Sequence, residues 1–142
     1  MSLTLLGPLR ASVQQVPLFS NPVAAGFPSP AEDHIEATLS LDELCIRHPA
    51  ATYLLRAAGD SMQGAGIFDG DVLVVDRSIE PRPGMIVVAT VRGDFTCKRL
   101  EAEDGLPILR AENPCYPDIR LADGEELEVF GVVVAAVRRF GI

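Results

Sequence analysis

From residue 52 onward, short runs rich in β-branched residues alternate with turn signals roughly every 8–15 residues, and this rhythm confines the chain to a compact, mostly β domain. The runs cover residues 52–57, 71–76, 85–91, 95–100, 106–111 and 127–137. Asp69-Gly70, Pro81-Arg82-Pro83-Gly84 and Arg92-Gly93-Asp94 punctuate them, the last as a hairpin turn. Ahead of this region the pattern changes. Residues 1–31 hold five of the eleven prolines, which excludes a sustained helix and predicts an extended arm. Ser40-Leu41-Asp42-Glu43 reads as a capping box opening a short helix that runs to about His48 and stops at Pro49. The expected organisation is an N-terminal arm over residues 1–31 and one β domain over residues 32–142.

Composition narrows the function classes. With 142 residues and 48% hydrophobic side chains, the chain can bury a core without disulfides or metals. A net charge of −8 argues against duplex DNA as a direct ligand, because that affinity rests on Lys and Arg contacts to phosphate. Cys45, Cys97 and Cys115 are too scattered for a disulfide framework and lack metal-ligand spacing. They are expected to be buried, reduced thiols of a cytoplasmic protein that needs neither metal nor cofactor. No stretch approaches the ~18 apolar residues that span a bilayer. Val23-Ala24-Ala25 followed by Gly26 resembles a small-residue cutting site. No basic leader or unbroken apolar segment precedes it, so neither export nor a membrane is expected.

The cations are unevenly chosen, with eleven arginines and one lysine, Lys98. Base composition alone can produce such a bias. The chemistry still differs, because arginine stays protonated whereas a buried lysine can lose its proton and act as a base. In Phe95-Thr96-Cys97-Lys98-Arg99-Leu100, strand alternation puts Lys98 with Thr96 and Leu100, toward an apolar interior. Arg99 points away with Cys97. Gly59-Asp60-Ser61-Met62 follows the 52–57 run at a place where the chain must turn, so Ser61 can present both its hydroxyl and its N–H. Alone, that tetrapeptide is ordinary turn chemistry. A serine nucleophile needs a base. His34 lies in a hydrophilic stretch and His48 at a helix end, and both are expected to be exposed. That leaves a serine–lysine arrangement with Lys98 as base. At the ordinary lysine pKa of ~10.4, about 0.04% of the amine is neutral at pH 7, and burial can make the neutral form a major species.

Several segments together resemble a known family. They are Gly59-Asp60-Ser61-Met62, Asp69-Gly70-Asp71-Val72-Leu73-Val74-Val75-Asp76, Gly84-Met85-Ile86-Val87-Val88-Ala89 and Phe95-Thr96-Cys97-Lys98-Arg99-Leu100. Asn113, Tyr116-Pro117 and Val129-Phe130-Gly131-Val132-Val133 continue the match, and Pro17-Leu18-Phe19-Ser20 and Gly26-Phe27-Pro28-Ser29-Pro30-Ala31 extend it into the arm. Over roughly residues 16–137 the chain is similar to the self-cleaving Ser–Lys peptidases of the LexA/UmuD class. The resemblance implies the small β fold shared by LexA and signal peptidase. It implies Ser61 as nucleophile, Lys98 as general base, and the Ser61 backbone N–H with one neighbour as the oxyanion hole. The scissile bond would be Ala25–Gly26, in a Val-Ala-Ala-Gly form similar to that of LexA rather than the form with a cysteine before the bond. In the family, a RecA–single-stranded DNA filament stimulates the cut, and the trimmed homodimer joins a UmuC-type translesion polymerase in the SOS response. The arm is too short and proline-broken for a helix-turn-helix, so a repressor is not expected. Two other readings stay open: a polymerase-interaction module of the same fold without catalysis, and a soluble processing peptidase. Spacing leaves cleavage in cis or by a second subunit equally possible.

Overall fold

The computed structural model describes residues 1–8, 14–19 and 35–141. The strands are β1 (Ser2–Pro8), β2 (Val16–Phe19), β3 (Ile35–Leu39), β4 (Thr52–Ala58), β5 (Val72–Asp76), β6 (Ile86–Val91), β7 (Asp94–Glu103), β8 (Leu106–Arg110), β9 (Ile119–Arg120) and β10 (Glu128–Val137), with one helix, α1 (Leu41–Cys45). Eight strands form one antiparallel sheet in the order β1-β4-β5-β10-β6-β7-β8-β9, and β2 pairs with β3 in a small second sheet. The main sheet curls, so that β1 at its edge also approaches β7. The mostly β fold expected from the sequence is the fold observed. Ala25, Gly26 and His34 lie outside the described residues.

Two tight turns fix the register around β7. β6 passes to β7 through Arg92-Gly93, and β7 passes to β8 through Asp104-Gly105. All four turn residues have positive φ, from 50° to 83°. This two-residue geometry matches the twist of paired strands, and glycine at the second place adopts it without Cβ strain. Val87 then stands opposite Lys98.

Alternation along the strands fills two apolar layers. One contains Leu55, Ala57, Leu73, Val75, Val88 and Cys97, joined by Met62 and Ile67. The other contains Val87, Ala89, Val91, Leu100, Leu109 and Val132. Both faces of β7 are therefore covered, and Cys97 is fully buried rather than turned outward with Arg99. Burial pushes its thiol up to about 12. The other thiols depart from expectation, since Cys45 is half-buried and Cys115 exposed.

The capping box at Ser40 forms as expected, with Glu43 N–H donating to Ser40 Oγ and Ser40 N–H to the Glu43 carboxylate. The helix is shorter than expected and ends at Cys45, because Ile46 is already extended at φ −126°, ψ 117°. Pro49 then opens a 3-10 turn, and proline bars the preceding His48 from helical backbone. His48 is exposed, as expected, but it is not without a partner. Its Nδ1 lies 2.6 Å from Oδ2 of the buried Asp76, which also accepts from the Ser78 N–H and hydroxyl. Of the expected arm, the described residues 1–8 and 14–19 include two paired strands, β1 hydrogen-bonded to β4 and β2 to β3.

A second buried carboxylate ties the sheet to the turn after Ser61. Asp71 accepts two hydrogen bonds from Arg138, at 2.6 and 2.7 Å, and one from the Phe68 N–H. The Arg138 hydrogen bonds hold the carboxyl below its ordinary value of 3.8, against the opposing effect of burial. Its contribution is thus present above that ordinary value and fades as pH falls through the lowered one. Asp71→Asn is expected to cost about 1–3 kcal/mol at pH 7, discounted because Arg138 is partly exposed. Denaturant melts should show the deficit shrinking below pH 4, and an equal deficit at pH 7 and pH 2.5 would contradict the assignment.

Candidate active site

β4 carries the chain to Gly59-Asp60-Ser61, and β7 carries Lys98 to the same place. Both side chains are buried, Ser61 fully and Lys98 to 5% exposure. The Lys98 Nζ donates to Ser61 Oγ at 3.1 Å, to Thr96 Oγ1 at 3.1 Å and to the Cys97 carbonyl at 3.2 Å. Thr96 shares the Lys98 face of β7, so the strand supplies an acceptor two residues away. Burial lowers the Lys98 pKa, and the neighbouring α-amino group of Met1, as an acceptor, opposes the shift. Burial also lowers the Met1 amine, with Lys98 adding repulsion. The two residues singled out in the sequence, 37 apart, are thus brought together. His48 is not, since its partner Asp76 faces Thr52 at the opposite end of β4. Six strand steps separate that end from Ala58, roughly 20 Å.

The arrangement has a definite chemical capacity. A neutral lysine has two N–H bonds and one lone pair. Thr96 and the Cys97 carbonyl can take the two N–H bonds, which leaves the lone pair on Ser61. Among the described residues the N–H groups of Ser61 and Met62 have no acceptor. No group of three or more His, Cys, Asp or Glu side chains among the described residues could hold a metal ion.

A scaffold fixes the serine. The Ser61 carbonyl accepts from the Glu112 N–H at 2.9 Å, and the Gly64 N–H donates to the Glu112 carbonyl at 2.8 Å. Asn113 Nδ2 donates to the Asp60 carbonyl at 2.9 Å, while its Oδ1 accepts from the Cys115 N–H. Tyr116 donates its hydroxyl proton to the Asp60 carboxylate, which raises the phenol pKa. Arg99 pairs with the Glu112 carboxylate and donates to the Gly84 carbonyl. β7 therefore grips the serine turn twice, directly through Lys98 and indirectly through Arg99 and Glu112. Sequence reasoning missed Glu112 and Arg99 in these roles, because neither contact follows from spacing. Thr96 was legible from strand alternation.

A cleft of about 260 Å³ opens beside Lys98, lined by Val91, Arg92, Asp94, Thr96, Tyr116 and Ile119 among others. A larger hollow of about 670 Å³ lies between the β7–β8 turn and residues 120–127, and neither Ser61 nor Lys98 lines it. No helix among the described residues is long and apolar enough to cross a membrane.

Known proteins resemble this chain over most of its length. A peptidase S24-like family model matches residues 17–134. Protein SamA of Salmonella typhimurium is 45% identical over 138 residues, 96% of each chain. Protein MucA of Escherichia coli is 45% identical over 122 residues, 85% of this chain and 83% of its own. A LexA repressor from Paracidovorax citrulli is 42% identical over 116 residues, 82% of this chain and 51% of the repressor.

Two consequences can be measured. A Cβ on Gly64 would lie 2.6 Å from the Glu112 carbonyl oxygen, so Gly64→Ala must push the serine turn off its scaffold. The expected cost is about 1–3 kcal/mol, read by chemical denaturation, and an unchanged midpoint would refute the close approach. Lys98 gives a pH signature. Between its lowered value and the ordinary 10.5, the unfolded chain holds a proton that the folded chain lacks, so stability rises with pH across that window. Lys98→Met should be more stable than the parent at pH 7, with the gap closing toward pH 10.5. A gap that stays constant would mean that the lysine pKa is not lowered.

Proposed function

The chain belongs to the peptidase S24-like family, and from that membership we propose that it is a self-cleaving serine peptidase with Ser61 as nucleophile and Lys98 as general base. The observation that carries this reading is the buried 3.1 Å hydrogen bond between Lys98 Nζ and Ser61 Oγ, with no carboxylate among the acceptors of the amine. Neutral Lys98 takes the hydroxyl proton as Ser61 Oγ attacks the Ala25 carbonyl carbon. The N–H groups of Ser61 and Met62 receive the developing oxyanion. When the C–N bond breaks, the proton passes from Lys98 to the Gly26 amine. Water then hydrolyses the Ala25 ester, again with Lys98 as base, which frees residues 1–25 and leaves residues 26–142.

The resemblance to UmuD-type proteins supports a wider role. A RecA–single-stranded DNA filament stimulates the cut, and the trimmed homodimer serves a UmuC-type error-prone translesion polymerase in the cytoplasm during the SOS response. Duplex DNA is not a ligand, in keeping with the net charge of −8. A pure interaction module is disfavoured by the cost of burying an ammonium group that binding alone does not need.

Mass spectrometry after incubation between pH 7 and pH 10, with and without RecA filament, tests the reading. A new N-terminus at Gly26 is expected, formed faster as pH rises because deprotonation of Lys98 creates the base. Ser61→Ala should fold and remain intact. Lys98→Arg should be as inactive as Lys98→Ala, a loss of at least ~100-fold, since arginine keeps its proton. A pH-independent rate, or an active arginine variant, would defeat the lysine base.

A further inference from the structure

The N-terminal strand lies beside the two strands that position Ser61 and Lys98. β4 leads to Ser61, β7 bears Lys98, and β1 is paired to the first while approaching the second. The register Ser2↔Ala58 and Leu3↔Ala57 runs β1 antiparallel to β4 and brings Met1 beside Gly59, two residues before Ser61. The Met1 Cα stands 3.7 Å from the place a Gly59 Cβ would occupy. Met1 and Leu3 pack on the apolar layer that contains Leu55, Ala57 and Cys97. The strip beside Ser61 thus already holds an extended apolar segment, seated by strand pairing, which is how a sheet edge takes up an extended peptide.

The hold on that segment is modest. Leu5 is 52% and Leu6 46% exposed, and the pairing is irregular between Leu5 and Gly7. Edge strands with so little burial open locally at a small fraction of the global unfolding free energy.

We propose that β1 is an internal occluder of the peptide groove: the segment bearing Ala25–Gly26 must displace β1 from between β4 and β7 to reach Ser61, so the release of β1 governs the cutting rate. The inference rests on the self-cleavage reading above. It also means that a cut at Ala25 carries β1 away with residues 1–25 and leaves the β4 edge open to a strand from another protein.

Two full-length variants with opposite effects test it. Leu3→Asp puts a carboxylate against the apolar layer and loosens β1. Thr4→Cys with Arg56→Cys places two thiols on directly opposed, exposed positions of an antiparallel pair, close enough for a disulfide that locks β1 down. Formation of Gly26 N-terminus is followed by mass spectrometry at pH 9–10 without filament. Leu3→Asp should cut at least fivefold faster than the parent. The oxidised double variant should cut at least tenfold slower and recover on reduction with dithiothreitol. If Leu3→Asp fails to fold, the lock decides alone, since reduction restores the same chain. Equal, non-zero rates for parent, loosened and locked chains would overturn the occluder and leave self-cleavage standing. Slower cutting by a folded Leu3→Asp chain would also overturn it. No cut at Ala25 in any of them would overturn both.

Discussion

An ammonium group buried without a carboxylate is the constraint around which this fold is arranged. In a medium of low polarity the Lys98 amine needs partners for its N–H bonds, and the chain supplies Ser61 Oγ, Thr96 Oγ1 and the Cys97 carbonyl. All three are neutral. A carboxylate in the same place would satisfy the cation better, but it would also raise the lysine pKa and remove the lone pair that a base requires. Hydroxyl and carbonyl oxygens solve the first problem without creating the second. The stability given up is compensated by the two apolar layers that bracket β7.

Such a contact tolerates little movement, and much of the local structure is spent on holding it. Tight turns at Arg92-Gly93 and Asp104-Gly105 fix the position of Lys98 along the sheet. On the other side, the serine turn is held by backbone and side chain from residues 112–116. Arg99, the next residue after Lys98, reaches that same segment through Glu112. A slip of β7 by one residue would turn Lys98 to the opposite layer and pull Glu112 away from Gly64 together. Register and site geometry are therefore one property of this sheet.

What could be read in advance follows the range of the interactions. Strand runs, the Arg92-Gly93 turn and the Ser40 capping box are local patterns, and they appear where the sequence places them. Lys98 was legible as the one lysine, set on an apolar strand face, Ser61 only together with Lys98 and the family resemblance, and Thr96 because strands alternate. The short helix ended early for a local reason as well, the extended backbone of Ile46 ahead of Pro49. Glu112, Arg99 and the His48–Asp76 pair could not be read, because each contact depends on the register of neighbouring strands. β1 is the clearest case. Ser2-Leu3-Thr4-Leu5-Leu6-Gly7-Pro8 has a weak strand pattern of its own, and its structure comes from the edge of β4 fifty residues later.

If the chain is its own substrate, as proposed, it faces a problem that a peptidase acting on other molecules does not. A tethered segment has an effective concentration of order millimolar, so weak affinity for the groove gives little protection. Nor does the proposed catalytic pair give much, since Lys98 Nζ and Ser61 Oγ are already at hydrogen-bond distance. Restraint must come either from the protonation of Lys98 or from access to Ser61. Protonation slows every turnover alike and cannot respond to a partner that leaves the buried amine untouched. Access can, because an edge strand held by Met1 and Leu3 on one side and open at Leu5 and Leu6 on the other lies within reach of a protein binding the surface. On the self-cleavage reading proposed above, the chemistry falls to β7 and the timing to β1.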